Sequence, residues 1–257
     1  MRAHLFSALA AALICAQSAS AQETEQQNTQ TLSYELRYAS SDSSSNNRVR
    51  ERVTHILRYS RLLTERSKAF VFLLNSELDA RNPFGTSDAD INGGGVGLTY
   101  QTGAFTTATV AFSYNDNAEV FNAGGPAVSN GDAKTLSFGL QRLMGYGPRS
   151  YLYASISHAV TALEQDFGGG PTTDLRQVTT LSTLYGYKVG KKTVLTAGAR
   201  ALFSTDRFTA HLVDQANYVS LGVTHRIKDT TFSLKASGGV GDVAGDTQVS
   251  FKIGYDF

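Results

Sequence analysis

The stretch best equipped for chemistry is "NNRVRERVTHILRYS", residues 46–60. Arg48, Arg50, Arg52 and Arg58 occupy even positions with Thr54 and Ser60, while Val49, Val53, Leu57 and Tyr59 occupy odd ones. In an extended strand, residues two apart point the same way, so these arginines form a vertical basic track backed by an apolar face. A guanidinium fork matches a carboxylate or phosphate, so the chemistry on offer is anion recognition. Arg37, Arg176, Arg200, Lys235 and Lys252 take the same polar parity in their own segments, and Glu35 and Glu77 are the acids expected beside them. Catalysis finds less support. His158 adjoins Ser157 and lies three residues from Ser155, so on a strand it turns away from both hydroxyls, whereas a nucleophile and its base must touch. His55 stands at apolar parity next to Leu57, and His211 and His225 fall in or near connections. "DADINGGG", from Asp88, opens like a calcium loop, but Thr99 stands where the closing glutamate belongs. Its glycine run reads as a strand bend or bulge. No catalytic residue, metal ligand or cofactor is expected.

The elements that must hold the track are strands. Period-two alternation recurs, as in "LSYELRY" (Leu32, Tyr34, Leu36, Tyr38 against Ser33, Glu35, Arg37) and "ATVAFSY" (Ala108, Val110, Phe112, Tyr114). Strands are expected near 31–40, 49–62, 68–79, 94–102, 105–115, 133–143, 150–162, 175–188, 192–204, 216–226, 230–239 and 247–257. Their connections alternate in kind. Long polar ones such as "RNPFGTSDADIN" and "NDNAEVFNAGGPAVSNGD" take turns with short ones such as "LTERS", "QTG" and "RIKD". A soluble β-sandwich also alternates, but it has no reason to sort loop length by end. A transmembrane barrel does: its backbone must pair completely inside the bilayer, one face meets lipid and the other a lumen. The expected fold is all-β, a single transmembrane antiparallel meander barrel of about 12 strands over 31–257, with long extracellular loops and short periplasmic turns.

Upstream, Arg2 precedes an apolar run from Leu5 to Ala16, and Ala19-Ser20-Ala21 gives a cleavage pattern; 1–21 reads as a signal peptide and 22–30 as a short polar segment. Cleavage would remove Arg2 and Cys15, leaving basic and acidic residues in balance and no thiol chemistry. Balanced charge argues against a nucleic-acid partner. With 12 Tyr, 14 Phe and only 4 Pro, the composition is β-rich rather than disordered. Acids such as Asp42, Asp88, Asp116, Asp174 and Asp246 gather in the long connections, and Arg66, Lys68, Lys191 and Lys228 in the short ones. An acidic outer rim suits divalent cations bridging to lipopolysaccharide and other anionic outer-membrane lipid.

The sequence ends on "VSFKIGYDF". Val249, Phe251, Ile253, Tyr255 and Phe257 alternate without a gap up to the terminal aromatic, which resembles the C-terminal signature of bacterial outer-membrane β-barrel proteins. The resemblance implies an outer-membrane location in a Gram-negative cell and a last strand recognised by the barrel-assembly machinery. In organisation alone the chain is also similar to the small oligogalacturonate-type porins, from which no site residue carries over. The function expected is a passive channel for small solutes, anions among them. The alternatives are a structural or surface-interaction barrel with a side-chain-filled lumen, and a lipid-active outer-membrane enzyme, although no barrel-hydrolase motif is present. An autotransporter translocator would need a passenger and a pore-threading helix ahead of its first strand, and only Gln22 to Gln30 stand there.

Overall fold

Twelve strands close on themselves in the computed structural model, which describes residues 30–43, 47–83, 85–118, 131–166, 171–208 and 213–257. They are β1 (Gln30–Ser43), β2 (Arg48–Thr64), β3 (Ser67–Asn82), β4 (Gly85–Gly103), β5 (Thr106–Ala118) and β6 (Gly131–Tyr146), followed by β7 (Ser150–Asp166), β8 (Pro171–Lys188), β9 (Thr193–Phe208), β10 (Val213–Ile227), β11 (Thr230–Val240) and β12 (Thr247–Asp256). Each pairs antiparallel with its neighbours in sequence, and β1 pairs β12 from Thr31↔Asp256 to Ser40↔Thr247 to close the wall. The amide of Phe257 donates to the Gln30 carbonyl at 3.1 Å, so the terminal aromatic is tied to the start of β1. The rim carrying both ends of the barrel also carries the tight turns; it is called the near rim below, and the opposite one the far rim. The expected signal peptide and most of the short polar segment lie outside the described residues.

Alternation decides which way each side chain points. On β1 Leu32, Tyr34, Leu36 and Tyr38 are exposed on the outer wall, while Ser33, Glu35 and Arg37 are buried within. The outer band continues through Val71 and Leu73, Val96 and Leu98, Phe112, Leu136 and Phe138, Leu181, Val219 and Leu221, Phe251 and Tyr255. Exposed apolar residues all round a closed sheet are stable only against hydrocarbon, which is why the wall is a membrane-spanning one.

Several strands exceed the roughly 10 residues that a bilayer requires. β4 has 19 residues and β8 has 18, and the surplus stands beyond the band at the far rim. The expected long connection "RNPFGTSDADIN" is largely the tip of the β3–β4 hairpin, with Asp79↔Asp88 and Glu77↔Asp90 paired on its outer face. A strand solvated on both sides has the polar composition of a loop. The calcium-loop reading does not fit this geometry, since Asp88, Asp90 and Asn92 sit along an extended strand.

Candidate functional site

The lumen wall is assembled from one parity of every strand. Arg50, Arg52 and Arg58 face inward from β2, paired with Ala80, Leu78 and Phe72 of β3. Arg37 faces inward from β1, Arg176 from β8, Arg200 from β9, Lys235 from β11 and Lys252 from β12. Lys68, assigned by sequence to a turn, also points inward at the near end of β3 and donates to Thr31 Oγ1 at 3.2 Å. Among the acids, Glu35 lies inside and accepts from Arg37 Nη2 at 2.6 Å. Asp174 lies inside 3.5 Å from Arg176.

Glu77 is a correction. It is exposed on the outer face of β3, opposite Val53 and Asp90, and takes no part in the lumen. The inward residues of β3 are Phe70, Phe72, Leu74, Ser76 and Leu78. "AFVFLLNSELD" is apolar on both faces for most of its length, so alternation does not fix its parity, and Glu77 sits where the strand has risen past the lipid band.

The inward arginines of β1, β2 and β8 are packed into the wall. Arg37, Arg50, Arg52 and Arg176 are 3–5% exposed. The Arg52 Nε–H donates to Ser76 Oγ, which also bonds Thr54 Oγ1 at 3.0 Å. Arg58 lays its guanidinium 3.8 Å over the Phe70 ring, and Arg200 stacks 4.8 Å over Tyr218. Phe70 and Phe72 lie flat because Gly97 and Gly95 face them across the strand pair; a side chain at either glycine would overlap the ring. Lys235 and Lys252 are built differently. Lys235 is exposed to the lumen and Lys252 half-buried, and neither makes an ion pair or hydrogen bond among the described residues.

At the far rim a turn of 3-10 helix, Gly241–Val243, folds inward between β11 and β12. Val243 is fully buried against Val178, Leu202, Ala216 and Tyr218 on the inner faces of β8, β9 and β10. Asp246, expected to be a solvated loop acid, is buried and accepts from the Tyr218 hydroxyl at 2.7 Å and from Ser41 Oγ. Gly241 has φ +70, a left-handed conformation that favours glycine. Gly239 has no room for a Cβ beside the Val243 carbonyl. No spacing in the sequence announces this clasp.

None of the described histidines is bonded to a serine. His158 faces out and bonds Thr179 Oγ1 at 3.0 Å while Ser157 faces in. His55 faces out to the Tyr34 hydroxyl at 2.7 Å, and His225 bonds Thr193 at 2.8 Å. His211 lies outside the described residues.

No protein-family model matches this chain, and no curated protein matches it significantly. Solved structures do match its shape. The translocator domain of the autotransporter NalP from Neisseria meningitidis superposes with a TM-score of 0.68 at 11% identity, over 97% of this chain and 93% of that one. The transport unit of the autotransporter AIDA-I from Escherichia coli gives 0.65 at 13% identity, over 97% of each. An outer membrane channel from Pseudomonas putida F1 gives 0.64 at 10% identity, over 91% of this chain and 97% of that one. At such identities the likeness is one of architecture: this chain's closed barrel of twelve strands has the fold of these outer-membrane barrels.

Proposed function

We propose that the protein is an outer-membrane barrel that passes small solutes and favours anions. The observation that carries this reading is the sign of the lumen wall, where Arg37, Arg50, Arg52, Arg58, Lys68, Arg176, Arg200, Lys235 and Lys252 face Glu35, Asp174, Asp246 and Asp256. A wall with an excess of one sign between low-dielectric strands concentrates counter-ions and sets which ions cross. In this reading the near rim is periplasmic and the far rim extracellular. The acidic far ends of β3 and β4 meet lipopolysaccharide through divalent cations, and the β12 run from Val249 to Phe257 is what the assembly machinery engages. Purified protein in a planar bilayer under a potassium chloride gradient is the test. A single-channel current whose reversal potential reports chloride over potassium supports the reading; cation preference overturns the argument from charge.

A second reading has its own observation. Inward residues in the far half, among them Ser76, Leu78, Ser113, Thr135, Ser137 and Thr161, are almost wholly buried, as in a protein core. That favours a barrel filled by side chains with a structural or surface role, and the absence of any single-channel current would select it.

A further inference from the structure

We propose that Lys235 and Lys252 form the anion-binding step of the lumen, and that the arginines of β1, β2 and β8 are struts of the wall. The proposal rests on the anion-channel reading and assigns the solute contact within it. Two groups stand apart among the inward cations by what surrounds them. Arg37, Arg52 and Arg176 are buried and engaged with Glu35, Ser76 and Asp174 respectively. A buried charge that already has its partner gains little from a passing anion and would have to be dismantled to meet one. Lys235 and Lys252 make no ion pair or hydrogen bond among the described residues. The acid opposite Lys252 across the strand pair is Glu35, which Arg37 already holds at 2.6 Å.

The surroundings of the two lysines leave space for a ligand. Lys235 stands opposite Gly222 on β10 and Ser250 on β12, and Lys252 stands opposite Ser233 on β11. Lys235↔Ser250 and Ser233↔Lys252 are successive inward pairs, so the lysines are diagonal neighbours roughly 7 Å apart on one wall. Two flexible ammonium groups at that spacing can converge on one oxyanion, and the serine hydroxyls beside them can donate to its remaining oxygens. Lysine also suits transit, because a strongly hydrated ammonium binds an anion weakly enough to release it. The ligand chemistry is therefore one carboxylate or phosphate group on a small solute.

Binding and conduction are measured separately on the folded full barrel, so that failure of one is not mistaken for failure of the other. Inorganic phosphate is followed by its 31P linewidth and acetate by its 13C carboxyl linewidth as the barrel is titrated in. Broadening is expected for one or both, the responding probe naming the oxyanion. The K235Q/K252Q variant should weaken it about ten-fold, the loss expected on removing one exposed and one half-buried charge from the site. K235R/K252R should retain it, and so should R142Q, which changes an exposed charge on the outer face of β6 and leaves the lumen untouched. Wild-type broadening that survives in K235Q/K252Q overturns the assignment, as does the absence of broadening by either probe. In bilayers, an anion preference that K235Q/K252Q leaves unchanged overturns it too, whereas a wild-type channel without anion preference removes only the reading on which it rests. Heat-modifiable gel mobility confirms that each variant has closed its barrel.

Discussion

Strands β2 and β3 run 17 and 16 residues and turn Arg50, Arg52, Ile56, Arg58, Phe70, Phe72, Leu74 and Leu78 inward. Strands β11 and β12 run 11 and 10 and turn Ser233, Lys235, Ser237, Ser250, Lys252 and Gly254 inward. Both pairs line the same lumen. The first is packed like a domain core, with Phe70, Phe72 and Leu74 joining Ile91 and Ala111 in one buried apolar cluster. The second has little bulk, and its cations meet the lumen. A closed sheet thus has no obligation to treat its interior uniformly: large side chains on one arc supply packing, and small ones on another leave room. An arginine on an inward parity is therefore not by itself a solute contact. What the neighbouring strand offers it decides.

The largest effect that could break this contrast comes from truncating the packed arc. Phe72 is 7% exposed and its ring lies on Gly95, which has no side chain, so Phe72→Ala opens a cavity there. A loss of about 3–5 kcal/mol is expected. Ser250→Ala on the open arc should change stability by no more than about 0.5 kcal/mol. Denaturant titration of the barrel folded into lipid vesicles measures both. Equal losses would mean that the two arcs are packed alike.

The inward turn at the far rim provides the next test, since it packs Val243 against the inner faces of β8, β9 and β10. Gly239→Val forces the added side chain into the Val243 carbonyl, and the segment from Gly241 to Asp246 must leave its seat. Overpacking of this kind costs about 1–3 kcal/mol. Here the strain is released by the turn rather than by the wall. Single-channel conductance should rise and the turn should become open to protease, while the unfolding midpoint of the barrel shifts little. Unchanged conductance and protease resistance together would show that the turn does not constrict the mouth.

Much of this barrel is written in the sequence because lipid imposes a strict period of two. Leu32 to Tyr38 and Val249 to Phe257 alternate cleanly, and they pair to close the wall. The parity of β2 is equally legible, since Arg50, Arg52 and Arg58 oppose Val49, Val53 and Leu57 on every second residue. The signal fails where a strand is apolar on both faces, as on β3, and there Glu77 is misplaced. It fails again where strands outrun the bilayer and take on loop composition, as in the tip of β3–β4. The clasp of Asp246 on Tyr218 and Ser41 joins residues distant in sequence, and nothing local marks it. Burial is the other missing quantity. The sequence places the arginines and the lysines on one lumen but cannot separate them, because their exposure depends on partners from neighbouring strands.

The outer wall of β2 carries one polar group of its own. His55 faces outward between Leu57 and Val53, where a hydrocarbon neighbour offers no hydrogen bond, and Tyr34 of β1 supplies one at 2.7 Å. The β12 side of β1 needs no such device, because Phe251, Ile253 and Tyr255 oppose Leu36, Tyr34 and Leu32 there. Tyr34→Phe removes the hydroxyl and leaves the imidazole nitrogen facing lipid unpartnered. An unmade bond of this sort costs about 1–3 kcal/mol when fully buried, and Tyr34 is 40% exposed at the outer surface, so about 1 kcal/mol is expected. The double variant Tyr34→Phe/His55→Leu removes both polar groups and should recover most of that loss, since exchanging a bonded pair for apolar groups is nearly neutral. The cycle is read by the same vesicle unfolding titration. If Tyr34→Phe alone is neutral, His55 lies in the hydrated interface rather than in the hydrocarbon, and the apolar band on β2 ends at Leu57.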